Sequence, residues 1–137
     1  MSDPVPGSVE DHGHPVLGDL ALPPAEEVDP SRVVDLLAEG ERLLARAKES
    51  GRGRAVRSVV RQPGQNVIVL GLPAGGGLPD HDAPGPASLI CLEGEVVLSS
   101  GGRSWTVPAG SARAIPQARH DLRADVDSIC VLTVSTD

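Results

Sequence analysis

Apolar side chains first recur at helical spacing. Val33, Leu36, Leu37, Leu43, Leu44 and Ala47 follow the three, four, seven rhythm of a single stripe, interrupted by Gly40. Asp29 is a capping residue, Pro30 suits a first helical position, and Ser50 with Gly51 ends the run. The spacing predicts one helix over 30–49, its stripe docked on a neighbouring β-structure or a partner subunit. From Ala55 onward the rhythm changes to short β-rich runs separated by Gly and Pro. These are 55–61, 66–72, 87–93, 95–99, 104–107, 112–115, 121–124 and 128–134, and no helical period returns. Gly101-Gly102 marks a tight hairpin, whereas Gly75-Gly76-Gly77 and Pro84-Gly85-Pro86 read as rim loops.

Strands at this spacing predict an all-β barrel or sandwich with one N-terminal α-helix. The expected organisation is a flexible, acidic, Pro-rich tail over 1–28, an amphipathic helix over 29–51 and a barrel over 55–137. At 137 residues, a single domain buries only roughly 60 to 70 per cent of its unfolded surface, so pairing into a homodimer is expected.

Charge sharpens this division. Residues 1–31 carry seven acidic and no basic side chains, residues 32–61 eight basic and four acidic, and residues 62–137 four basic and eight acidic. A net charge of −7 speaks against general affinity for nucleic acid, which needs clustered cations to release counterions. Anionic membrane surfaces are disfavoured for the same reason. No stretch approaches a membrane span and the first residues lack a signal-peptide pattern, so a cytoplasmic protein is expected. Trp105 is the sole aromatic side chain, which leaves the core to Val, Leu, Ile and Ala. Cys91 and Cys130 form no CxxC pair and read as buried reduced thiols.

Candidate chemistry sits in two segments. The first, Gly75-Gly76-Gly77-Leu78-Pro79-Asp80-His81-Asp82-Ala83-Pro84-Gly85-Pro86-Ala87-Ser88-Leu89-Ile90-Cys91-Leu92-Glu93-Gly94, resembles the first motif of the cupin superfamily. Gly75, His81 and Gly94 stand in register with it; Ala83 occupies the place of the second His and Ala87 that of the Glu. The second, Gly110-Ser111-Ala112-Arg113-Ala114-Ile115-Pro116-Gln117-Ala118-Arg119-His120, is similar to the second cupin motif. Gly110 and Pro116 match, Ala118 replaces a glycine, and His120 arrives one residue early. Over residues 57–136 the resemblance implies a small RmlC-like jelly-roll barrel, a double-stranded β-helix.

In that family three His and one Glu hold a divalent transition metal (Fe, Mn, Ni or Zn) that activates oxygen or polarises a substrate. Only His81 and His120 answer to that set here. The resemblance therefore implies a depleted metal site, and a metal-free barrel is the preferred expectation, with His81, Cys91 and His120 lining a ligand pocket. The leading function is a small-molecule binding or sensing module. A metal-dependent dioxygenase or isomerase centred on His81 and His120 is the alternative, and a structural or regulatory partner protein is a third. Whether the chain is an enzyme stays open.

Overall fold

The computed structural model describes residues 28–83 and 85–135. The expected acidic tail lies outside them, apart from Val28. The chain begins with a short turn in which the Asp29 side chain accepts from Ser31 N (2.9 Å) and its carbonyl accepts from Arg32 N (3.2 Å).

Helix α1 runs Leu36–Ser50, starting later than the periodicity predicts. Two carboxylates compete for the cap, and Asp35 takes it by accepting from Ala38 N at 3.0 Å. Asp29-Pro30 closes the preceding turn instead, as Pro at a turn's second position favours. Val33 therefore precedes the helix and is 97% exposed, and Leu37 also faces solvent at 43%. The buried face is Glu39, Gly40, Leu43 and Ala47. Gly40 does not interrupt the stripe; it lies at its centre.

Among the described residues nine strands follow: β1 Ala55–Gln62, β2 Gln65–Leu72, β3 Gly77–His81, β4 Ala87–Glu93, β5 Glu95–Ser100, β6 Arg103–Pro108, β7 Ala112–Ala114, β8 His120–Ala124 and β9 Ser128–Ser135. They form a five-stranded sheet in the order β1-β2-β9-β4-β7 and a four-stranded sheet in the order β3-β8-β5-β6. Every pairing is antiparallel. The neighbours in each sheet are mostly distant in sequence, which is the winding of a jelly roll. Eight of the strands match the expected runs to within a residue or so. Strand β3 was hidden because Gly75-Gly76-Gly77 and Pro79 read as a loop.

Period-two alternation divides the apolar residues between two layers. Ile68, Leu70, Leu72, Leu89, Cys91, Cys130, Leu132 and Val134 of the larger sheet face Leu78, Val96, Leu98, Val107, Leu122 and Ala124 of the smaller one. This is the barrel interior. The intervening residues Val59, Val69 and Ile129 point outward and pack under Leu43 of α1.

The helix lies close because two residues lack side chains. A Cβ on Gly71 would come 2.4 Å from Leu44 N, and one on Gly40 would come 2.2 Å from Ile129 Cγ2. An ion pair between Lys48 and Asp127 anchors the end of the helix. Asp127 also accepts from Ala74 N at 2.9 Å.

Candidate functional site at the barrel mouth

His81 and His120 are direct register partners on β3 and β8. Strict alternation would separate Leu78 from His81, since three residues apart means opposite faces. Both are buried, at 4% and 5% exposure. The ladder slips between Leu78 and His81, where Pro79 cannot donate a ladder hydrogen bond. The extra residue restores the inward phase, as a β-bulge does. On β8 the pattern is regular: His120, Leu122 and Ala124 are buried at 3%, 5% and 0%. His120 begins the strand, so its early position in the sequence does not carry it out of the barrel.

The two rings meet edge to face, with centroids 4.4 Å apart and planes at 72°. His81 Nδ1 bonds to Pro79 O, and His120 Nδ1 bonds to Ala118 O at 2.8 Å. A carbonyl oxygen can only accept. Each Nδ1 therefore carries a proton, and in the neutral form of either ring Nε2 is the acceptor nitrogen. Leu78, Ala87, Leu98, Ile115, Leu122, Leu132 and Val134 complete the chamber around the pair.

Its volume is only about 10 Å³. That is room for one water at most. A larger open cleft of about 610 Å³ adjoins it and shares Ala87, Ile115 and Val134 as its wall. Its polar lining comes from Gln65, Ser88, Gln117, Thr133 and Ser135, and no charged side chain among the described residues lines it.

Outside the rings, Arg119 Nε meets Asp80 Oδ2 at 2.7 Å, its Nη1 meets Asp82 Oδ1 at 3.4 Å, and its Nη2 donates to Asp80 O at 3.2 Å. The residues flanking His81 are thus tied to the residue preceding His120. This latch spans the mouth but stays solvated, with side chains 57–71% exposed. Hydrogen bonding to the Asp80 carboxylate, first of all, holds the Arg119 guanidinium even more firmly protonated than usual.

Cys91 does not join the histidines, contrary to the expected pocket of His81, Cys91 and His120. It faces inward but lies four residues beyond Ala87 along β4, roughly 13 Å at 3.3 Å per residue. Its neighbour across the ladder is Cys130. Alternation identified the correct face but could not place the residue along the barrel axis. Ala87 does line the histidine chamber. The position in register with the cupin Glu thus borders the chamber and carries no donor.

No group of three or more His, Cys, Asp or Glu side chains able to hold a metal occurs among the described residues. Two imidazoles fall short of the three or more protein ligands of a catalytic centre. The residues present therefore do not fit the metal that the fold family implies. No helix among the described residues is long and apolar enough to cross a membrane.

Comparison with known proteins finds no matching family model and no matching curated protein. Solved structures match clearly. A cupin superfamily protein from Desulfitobacterium hafniense superposes with a TM-score of 0.63 at 11% identity, covering 82% of this chain and 97% of that one. An RmlC-like cupin from Shewanella frigidimarina gives a TM-score of 0.57 at 16% identity, over 62% of this chain and 78% of that one. A salicylate 1,2-dioxygenase from Pseudaminobacter salicylatoxidans gives 0.61 at 16% identity, over 72% of this chain but only 33% of the dioxygenase. The chain has the cupin fold, a jelly-roll barrel with one α-helix packed on its outer face.

Proposed function

We propose that this cupin-fold protein is a metal-independent binding module that recognises a small, neutral ligand through His81 and His120. One observation carries the reading: two inward imidazoles, both with Nδ1 committed to a backbone carbonyl, line an otherwise apolar chamber, and in their neutral form Nε2 is an acceptor. Acceptors in an apolar setting select a hydrogen-bond donor, because a ligand group that cannot donate leaves buried polar atoms unsatisfied.

The chamber has room for one small group such as a hydroxyl or amine. The rest of the ligand fits the adjoining cleft, whose volume lies in the usual range for small-molecule sites. An uncharged lining of amides and hydroxyls suits a neutral hydroxylated or amide-bearing molecule. It offers nothing to neutralise a carboxylate or phosphate. The metal-enzyme alternative centred on the same histidines lacks a third donor among the described residues.

The test is thermal unfolding of wild type and His120→Leu against a panel of neutral hydroxylated and amide compounds, with and without chelator. A melting-temperature rise that is unaffected by chelator and absent in the variant supports the module. Stoichiometric metal in protein purified without chelator, lost in both His81→Ala and His120→Ala, would replace this reading with the metal enzyme. A panel without any shift would leave the structural or regulatory partner role.

A further inference from the structure

Cys91 and Cys130 are both fully buried, lie opposite each other on β4 and β9, and face the barrel interior. Their backbone pairing defines how closely they approach. In an antiparallel ladder a residue's N–H and C=O point toward the same neighbouring strand. Cys91 N donates to Ser111 O at 2.9 Å and Cys91 O accepts from Gly110 N at 2.8 Å. Both bonds therefore run to the segment that leads into β7, on the side away from β9.

Cys91 and Cys130 thus form a non-hydrogen-bonded pair. This is the closer of the two antiparallel spacings, with Cα atoms about 4.5 Å apart. Disulfides require Cα separations of roughly 4.4 to 6.8 Å. The two side chains face the same interior from these opposed positions, and Cys91 Sγ donates to Glu93 O at 3.3 Å.

We propose that Cys91 and Cys130 are an oxidative modification site, a dithiol that a peroxide converts into an intrachain disulfide joining β4 to β9. The Cys91 thiolate attacks one peroxide oxygen and the O–O bond breaks. The leaving hydroxide takes up a proton to become water, and Cys91 becomes a sulfenic acid. Cys130 sulfur then attacks Cys91 sulfur; the S–S bond forms, the S–O bond breaks, and the departing hydroxyl takes the Cys130 proton as a second water. Two thiols are oxidised by two electrons and one peroxide is reduced to two waters.

The order of attack follows from the different settings of the two thiols. The hydrogen bond from Cys130 holds Cys91 below the ordinary thiol range, whereas that same bond together with burial pushes Cys130 far above it. Access is limited by burial, and the weakest cover is β7. It has three residues, lies at a sheet edge and, among the described residues, pairs only with β4. Oxidation should therefore follow opening of this edge rather than unfolding of the chain.

The experiment treats the folded full-length protein with hydrogen peroxide and maps the products by mass spectrometry. The expected product is a monomer lighter by two hydrogens, with a Cys91–Cys130 cross-linked peptide that dithiothreitol releases. Its melting temperature should exceed that of the reduced protein by more than about 5 °C, since a loop of 39 residues is closed. Thiols that both remain alkylatable after denaturation, sulfinic or sulfonic acid at either cysteine, an interchain bridge, or a bridge formed only in unfolding concentrations of urea would each overturn the proposal. Cys130→Ala should show neither bridge nor stabilisation. If that variant fails to fold, the wild-type map still decides.

Discussion

The barrel interior holds two pairs of identical, chemically reactive residues placed opposite each other across an antiparallel ladder, one in each sheet. His81 and His120 join β3 to β8, and Cys91 and Cys130 join β4 to β9. All four side chains are buried. The difference lies in what surrounds them. The histidines have a small chamber, an adjoining cleft and backbone carbonyls that set their tautomer, so they can receive a ligand. The cysteines have only each other and the Glu93 carbonyl, so their available chemistry is between themselves. Cross-strand pairing brings like residues together, but access decides whether the pair recognises another molecule or reacts internally.

Leu89 is the inward residue between Ala87 at the histidine end and Cys91. Leu89→Ala should give the largest effect, a loss of about 2 to 5 kcal/mol in urea unfolding. A cost below about 1 kcal/mol would mean that the two ends do not share one packed interior.

Cys130→Ser should cost about 1 to 3 kcal/mol by the same measurement, because it places a hydroxyl in an apolar enclosure. His120→Leu should cost less. The carbonyl it releases belongs to Ala118, an exposed residue whose oxygen regains water. If the order of these two were reversed, the histidine end would be the more tightly enclosed.

Arg119→Ala should leave the unfolding midpoint nearly unchanged, because the ion pairs it removes are solvated. It should nevertheless shift the imidazole NMR signals of His81 and His120 while leaving Cys91 and Cys130 undisturbed. Imidazole signals identical to wild type would show that the latch does not position the pair.

The smallest effect concerns pH, and it should touch neither pair. The hydrogen bond from Lys48, with a second from Ala74 N, holds the Asp127 carboxyl below its usual range. A depressed folded value means that its contribution is complete above the unfolded carboxylate value near 3.9 and is lost as pH falls through the folded value. Asp127→Asn should therefore flatten the acid limb of stability below about pH 4 and leave neutral-pH behaviour little changed. An unaltered acid limb would remove this latch from the account.

The linear chain by itself determined the all-β class, eight of the nine strands, the Gly101-Gly102 hairpin and one helix. These follow from local alternation, turn chemistry and caps, which act over a few residues. It also singled out His81 and His120, and Ala87 in the place of the cupin Glu, through motif spacing. The later start of α1 depended on which of two nearby aspartates took the cap, and the buried role of Gly40 depended on Ile129 lying against it. Strand β3 was obscured by Pro79, although a proline beside otherwise β-like residues is itself the mark of a bulge.

Only the tertiary structure decided that Cys91 belongs with Cys130 and that the histidine chamber is nearly filled. Alternation assigns a residue to a face of its strand. Position along the barrel axis, and the space left once two sheets close on each other, depend on partners far away in sequence, and no local pattern encodes them.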